Sequence, residues 1–306
     1  MDTLTPGSET AADFPGLLRY WRARRGYSQL ALSLAAGVSQ RHISFLESGR
    51  ARPSREMILA LADRLGVPLR QRNRLLLAAG FAPAYTEHGL GEPPLQMVRQ
   101  AIALILAKQE PYPAVVLDRF WNLVDANRAY RRMLDLLLDG RPAAVLEEGG
   151  QRVNLMLTVF DPQGLWPLIG NARQVGRYLL RRVWQELQAQ AHDRTAREIF
   201  ARISGWHPDM VAAGGVPSAD PALDEGAADG PLPPVLPVTL ASPRFSASLF
   251  STLTTLGIPH DVTLQELRIE CFFPADDASR AELERLADAA EQDAGAAAPR
   301  SAPHLA

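Results

Sequence analysis

A capping serine, an apolar-periodic stretch, a glycine turn and a second capping serine in quick succession restrict this chain more than any other feature. In SQLALSLAAGVSQRHISFLESG, Ser28 is placed to cap one helix, which carries Leu30 and Leu34, and Ser39 is placed to cap the next. Gly37 with Val38 supplies the tight turn between them, because glycine takes the left-handed backbone that ends a helix. Ahead of this pair, Leu18 and Trp21 mark a helix that Gly26 breaks. Behind it, Pro53-Ser54 opens a further helix that packs Met57, Leu61 and Leu65 underneath. The arrangement is helix, turn, helix.

In the third helix, Ile43 and Leu46 share the buried face, which leaves Gln40, Arg41, His42, Ser44 and Phe45 on the exposed face and its flanks. These side chains suit a major groove. Arginine donates twice to guanine, glutamine pairs with adenine, and an aromatic ring touches the thymine methyl. Ser28 and Gln29, with Ser39 at the helix start, belong at the nucleic-acid backbone. Arg50 and Arg52 are placed for phosphates rather than bases.

Charge supports the same expectation. The whole chain of 306 residues carries −2, but Phe14 to Pro83 contains twelve Arg, no Lys and three acids (Glu47, Glu56, Asp63), a net +9 that leaves −11 for the remainder. A compact basic domain is selected by a polyanion, since each cation that neutralises a phosphate releases condensed counterions. The acidic remainder should avoid DNA.

The rest of the chain divides by composition and periodicity. Residues 1–13 are polar and uncapped and are expected to fray. Residues 14–83 form the helix-turn-helix domain, and residues 84–110 are expected as a turn-rich linker (AYTEHGLGEP) followed by a stripe helix. In that helix Leu95, Val98, Ile102 and Ile105 fall on one face, which packs either on the C-terminal domain or on a second copy. From 111 to 275 a mixed domain is expected. AVVLD and RFWNLVDAN read as two short strands leading to Asn127, a helix N-cap; residues 172–205 are helical; residues 212–237 form a long loop. LPVTLA, RFSASLFSTLTTL and ELRIECFF then alternate in period two, the pattern of antiparallel strands, with Cys271 as a small apolar strand residue. Residues 276–306 are expected as a tail with one amphipathic stretch around Leu283 and Leu286. No signal-peptide run and no apolar stretch of spanning length is found, so a cytoplasmic protein without membrane contact is expected.

The run SQLALSLAAGVSQRHISFLESGRARPSREMILALADRLGVP closely resembles the Xre-type, phage-repressor-like helix-turn-helix family. The resemblance implies a five-helix all-α domain in which His42, Gln40 and Arg41 enter the major groove, Gln29 meets the backbone and Arg22 pairs with Glu47. YPAVVLDRFWNLVDAN, NLMLTVFDPQGL and FSTLTTLGIPHDVTLQELRIECFFPADD resemble the MmyB-like regulators, whose C-terminal part is a PAS-like ligand-binding domain. That implies an α+β domain with a curved antiparallel sheet packed against helices and a small molecule between. Where the family often has histidine before the proline of the middle motif, this chain has Asp161 before Pro162.

A fatty-acid-like effector is the expected ligand, with Trp121, Phe160, Trp166, Phe250 and Phe272 as candidate lining. No other cofactor and no metal is expected, because the six His are scattered without ligand spacing and the common nucleotide-binding and hydrolase motifs are missing. The expectation is therefore a non-enzymatic, DNA-binding regulator, dimeric, that senses a small apolar molecule. The alternative is constitutive DNA binding, with a C-terminal domain that only dimerises or docks a protein partner.

Overall fold

The computed structural model describes residues 13–139, 145–146, 152–188, 193–210, 235–256 and 260–297. The chain divides into two compact units, Met1–Leu95 with Leu256–Glu266, and Gln96–Thr255 with Leu267–Ala306.

Five helices open the N-terminal unit: α1 (Phe14–Arg24), α2 (Gln29–Ala36), α3 (Gln40–Glu47), α4 (Arg55–Arg64) and α5 (Leu69–Ala78). Their starts are written in the sequence. Ser28 Oγ accepts from the Ala31 amide at 3.0 Å, Ser39 Oγ from His42 at 3.2 Å and Ser54 Oγ from Met57 at 3.2 Å. Asp13 does the same for α1, accepting from the Gly16 amide at 2.9 Å, so the helix is capped where an uncapped, frayed end was expected. Gly37 ends α2 at φ +68°, the left-handed turn that orients α3. Leu18, Trp21, Leu32, Ile43, Leu46, Ile58, Leu61 and Leu65 close the core. Leu30 and Leu34 lie outward on α2, the latter 76% exposed, and Leu32 holds the core position instead.

Residues 84–93, expected as a turn-rich linker, are fastened to this unit. The Asn73 side chain donates to the Tyr85 carbonyl and accepts from the Ala84 and Tyr85 amides. Asp261 accepts from the Thr86 hydroxyl at 3.2 Å and contacts His88 Nδ1 at 2.8 Å. Burial alone would raise the Asp261 carboxyl, but its hydrogen bonds with His88, Leu264 and Thr86 outweigh that and hold it below the ordinary range. Helix α12 (Val262–Glu266) follows. Pro68 precedes α5 without a side chain able to cap it, and Gln265 Oε1 accepts from the Leu69 amide at 2.6 Å in its place. Arg70 pairs with Glu266 and Glu87.

The C-terminal unit is α+β. After a short 3-10 turn at Pro93–Leu95 come α6 (Gln96–Gln109), β1 (Ala114–Leu117), β2 (Leu123–Ala126), α7 (Arg128–Leu138), β3 (Val145–Leu146), β4 (Arg152–Val153) and α8 (Leu155–Phe160). Next are α9 (Ala172–Gln188), α10 (Arg194–Trp206), α11 (Pro208–Met210), β5 (Val238–Ala241), β6 (Ser246–Thr255), β7 (Arg268–Pro274) and α13 (Asp277–Ala297). Five strands form one open antiparallel sheet in the order β2-β1-β7-β6-β5. Most of the expected long loop at 212–237 lies outside the described residues.

Strand β1, AVVL, is covered on both faces, which explains why it is apolar throughout and fully buried. Val115 and Leu117 join the large core with α7, α8, α9 and α10. Helix α6 packs on β1 and buries Ile102 and Leu106, while Val98 and Ile105 are half-buried. Asn127 caps α7 by accepting from the Tyr130 amide at 2.9 Å, and also accepts from Ala114 on β1. The stretch expected as a tail carries a core helix, α13, with Leu283 and Leu286 buried against the sheet unit.

Candidate DNA-binding and ligand sites

The surface of α3 follows its 3.6-residue period. Ile43, Leu46 and Glu47 point inward; Gln40 and Arg41 are exposed; His42, Ser44 and Phe45 are half-buried on the flanks. The Arg41 guanidinium lies over the Phe45 ring at 5.1 Å, a contact that holds its fork at the helix surface. Ser28 and Ser39 act as caps, so the free amides at the starts of α2 and α3 are oriented outward, as an anion requires. Arg50 and Arg52 are exposed just beyond α3.

Beneath this surface sits a buried ion pair. Arg22 Nε and Nη2 donate to Glu47 Oε1 and Oε2 at 2.5 and 3.0 Å, and Gln29 Nε2 donates to Oε2 at 2.8 Å. Burial would raise the Glu47 carboxyl, yet the bonds from Arg22 and Gln29 more than offset it and hold it low. Gln29 is therefore anchored inward, and the second N–H of its amide is the part able to reach a phosphate. Part of the net +9 of this domain is also tied into hydrogen bonds within the protein. Arg19 donates to the Glu47 carbonyl, Arg25 to the Leu65 and Gly66 carbonyls that end α4, Arg70 to Glu266 and Arg72 to the Val67 carbonyl.

In the C-terminal unit a cavity of about 110 Å³ lies against one sheet face, walled by α7, α8, α9 and strands β5, β6 and β7. Its lining is mostly aliphatic and aromatic, including Tyr130, Met133, Leu137, Met156, Leu240 and Leu249. Among the lining residues that carry polar groups, Arg182, Ser251 and Glu270 lie together with the Trp121 indole. Ser251 Oγ donates to Glu270 Oε1 at 2.6 Å. Burial pushes the Glu270 carboxyl above the ordinary range, although the Ser251 bond and the Arg182 and Arg268 guanidiniums pull the other way.

Trp121 has a left-handed backbone, φ +66°, uncommon for a bulky residue and retained only where neighbours over-determine it. They do. Asp118 accepts from the Phe120 and Asn122 amides, the Leu155 amide donates to the Trp121 carbonyl, and buried Asn154 donates to the Phe120 carbonyl and Asn122 Oδ1. The indole is thereby held in the cavity wall, with the guanidiniums of Arg182 and Arg268 at 4.8 and 5.0 Å from its ring.

Comparison with known families decides what this pairing of units is. The profile of the MmyB-like transcription regulator ligand binding domain matches residues 98–286, and a helix-turn-helix profile matches residues 18–71. The chain belongs to the MmyB-like transcription regulators. It is a DNA-binding transcription regulator with a ligand-binding domain. No curated protein matches it significantly. A solved structure described as an RNA-binding light-oxygen-voltage receptor is 11% identical at a TM-score of 0.21. The match covers 94% of this chain and 65% of that one. The present chain thus spans less than two thirds of that structure's length, and the likeness is too slight to speak to the fold.

In this MmyB-like regulator the aromatic residues proposed from sequence separate into two groups. Trp121 and Phe272 line the cavity; Phe160, Trp166 and Phe250 do not. Phe250 neighbours Leu249 and Ser251, which face the cavity, so strand alternation turns it to the opposite face, where it stacks on Phe273 at 5.5 Å. Phe160 and Trp166 stack on each other at 5.5 Å and enclose His207, whose Nε2 lies 2.6 Å from the Phe160 carbonyl. Asp161, at the position that departs from the family pattern, ends α8 and accepts from the Gln163 amide, a turn role. Sequence reasoning missed Arg182, Ser251 and Glu270. The alternation in RIECFF places Glu270 on the same face as Phe272, and that was the available signal.

Proposed function

We propose that this regulator binds its operator as a dimer through α3 and that a small, mainly apolar molecule in the C-terminal cavity changes its operator affinity. Gln40, Arg41, His42, Ser44 and Phe45 read bases in the major groove; Ser28, Gln29, Ser39, Arg50 and Arg52 hold phosphates. A symmetric dimer places two such helices on half-sites about 34 Å apart. The observation that carries the sensing half is the mainly apolar cavity with a cluster of polar groups in its wall, because a domain that only dimerised would favour a filled core.

The cavity's size bounds the occupant. At about 110 Å³ it is of the order of the engineered apolar cavity, about 150 Å³, that accepts benzene. An acyl chain of about six carbons is therefore the reference ligand, and longer fatty acids require the lining to yield. Native mass spectrometry of protein purified from cells, with extraction of any non-covalent adduct, tests the reading. An adduct that alters operator affinity when added back supports it; operator affinity indifferent to every extracted or added apolar compound supports constitutive binding instead.

A further inference from the structure

The connection between β6 and β7 is longer than the sheet needs. The two strands pair antiparallel to their ends, with Thr255 against Arg268, and such a hairpin closes with about two to five residues. Here residues 256–267 connect them, and Leu256–Glu266 belongs to the N-terminal unit rather than to the unit that holds the strands.

The described part of that segment is fastened by side chains and backbone alike. Gln265 Oε1 accepts from the Leu69 amide at 2.6 Å, in the first turn of α5. Glu266 accepts from Arg70 Nε and Nη2 at 2.7 and 2.9 Å, and Arg70 also pairs with Glu87. The Val262 amide donates to the Thr86 carbonyl at 2.9 Å and the Thr263 hydroxyl to the His88 carbonyl at 2.7 Å, while Asp261 bonds both Thr86 and His88. Helix α5 packs on α1 and α4, and its Leu75 and Leu76 share one core with Ile43 and Leu46 of α3. Along the strands that flank the segment, Leu249 and Ser251 of β6 and Glu270 and Phe272 of β7 line the cavity.

We propose that residues 261–266 are a latch on α5, and that filling the cavity releases it. The inference rests on the reading of this cavity as a ligand site. An occupant larger than about 110 Å³ moves the lining, because a close-packed interior has no slack to absorb it. Strand β7 begins two residues after Glu266, and buried Leu267 lies between, so a shift of β7 along its length is delivered to Gln265 and Glu266. Release takes Gln265 from the Leu69 amide and Glu266 from Arg70. Pro68 has no side chain to replace that cap, so the start of α5 loosens and the core beneath α3 feels the change. The coupling is reciprocal: an occupant accommodated only with the latch released binds more tightly when the latch is weakened.

The test is isothermal titration of the full chain with saturated acids of six to fourteen carbons, with amide exchange across residues 69–72 read by mass spectrometry before and after saturation. In wild type, acids longer than about six carbons should speed that exchange about fivefold or more. Gln265→Ala and Glu266→Ala should each bind these acids about fivefold more tightly than wild type, a gain that a purely structural role for either residue would not produce. Gln265→Glu, which keeps the accepting oxygen, should restore the wild-type affinity. Acids that bind while exchange at 69–72 is unchanged or slower, or alanine variants that bind no more tightly than wild type, overturn the latch and leave the cavity as a ligand site. If no acid in the series binds, the latch and the ligand-site reading fall together. The wild-type exchange decides the matter even where a variant folds poorly.

Discussion

Replacing Glu47 by alanine removes the carboxylate around which the N-terminal unit is organised. The side chain is 3% exposed and accepts two hydrogen bonds from Arg22 and one from Gln29. Its loss leaves the Arg22 guanidinium, itself only 16% exposed, without its counter-charge. Breaking a buried pair from one side costs about 3 to 5 kcal/mol, mostly because the remaining charge stays desolvated. Two features place this case at the low end: Arg22 retains its bond to the Tyr27 carbonyl at 2.8 Å, and its partial exposure lets water reach the freed donors. The expected loss is about 3 kcal/mol, which for a unit of this size lowers the melting temperature by about 12 to 24 °C.

Calorimetry and circular dichroism at 222 nm on the full chain read that change, and the pH dependence checks its cause. The folded-state pKa of Glu47 is depressed, so its stabilisation is present above the unfolded value, about 4.3, and is lost as pH falls through the folded value. The difference between wild type and Glu47→Ala should therefore be largest near neutrality and shrink below about pH 4. A melting temperature within about 2 °C of wild type at pH 7 would refute the argument, and so would a gap that persists undiminished in acid.

Other consequences follow from the same geometry. Arg41→Ala should weaken operator binding by about 1 to 3 kcal/mol and relax preference at one base position, whereas Arg52→Ala should weaken all sequences alike and reduce the salt slope by about one. Fluorescence anisotropy against operator and scrambled duplexes separates the two, and identical effects from both would remove the division between base and phosphate contacts. Gly37→Ala meets no atom within 4 Å, so its cost is the left-handed backbone alone, about 1 to 2 kcal/mol by urea denaturation. Asn154→Ala removes bonds to Phe120, Asn122 and the Leu157 amide from a fully buried position. We expect a loss of about 2 to 3 kcal/mol and altered Trp121 fluorescence; a stable variant with unchanged emission would show that the turn does not depend on this side chain.

The parts of the fold that sequence reveals are those set by neighbours along the chain. Ser28, Ser39 and Ser54 announce helix starts because their hydroxyls bond amides three residues on, and the strands announce themselves by alternation. What sequence hides is long-range. Gln265 caps α5 from 196 residues away, and nothing local to Pro68 reports it. The turn-rich composition of residues 84–93 suggests slack, yet Asn73 and Asp261 fasten that stretch to the unit. In the candidate ligand site the difficulty is one of emphasis. Aromatic size draws attention to Phe160, Trp166 and Phe250, while strand parity, which the sequence does carry, turns Phe250 away and Glu270 inward.

Both units handle buried charge, and the contrast between them explains how each can act. Glu47 is buried with its counter-ion and a third donor, so it stays ionised and its surroundings gain a fixed anchor beneath the outer face of α3. That anchor fixes part of a domain of twelve arginines: Arg22 is drawn inward with Gln29 onto Glu47, the exposed Arg19 bonds the Glu47 carbonyl, and Arg41, Arg50 and Arg52 are left at the surface. Glu270 is buried with a hydroxyl and two guanidiniums that do not outweigh its desolvation, so its carboxyl is held above the ordinary range. A group so placed responds to whatever enters the space in front of it. An ion pair that is complete suits a scaffold that must present its surface side chains with one geometry; a carboxyl whose charge depends on its neighbour suits a site whose state must change.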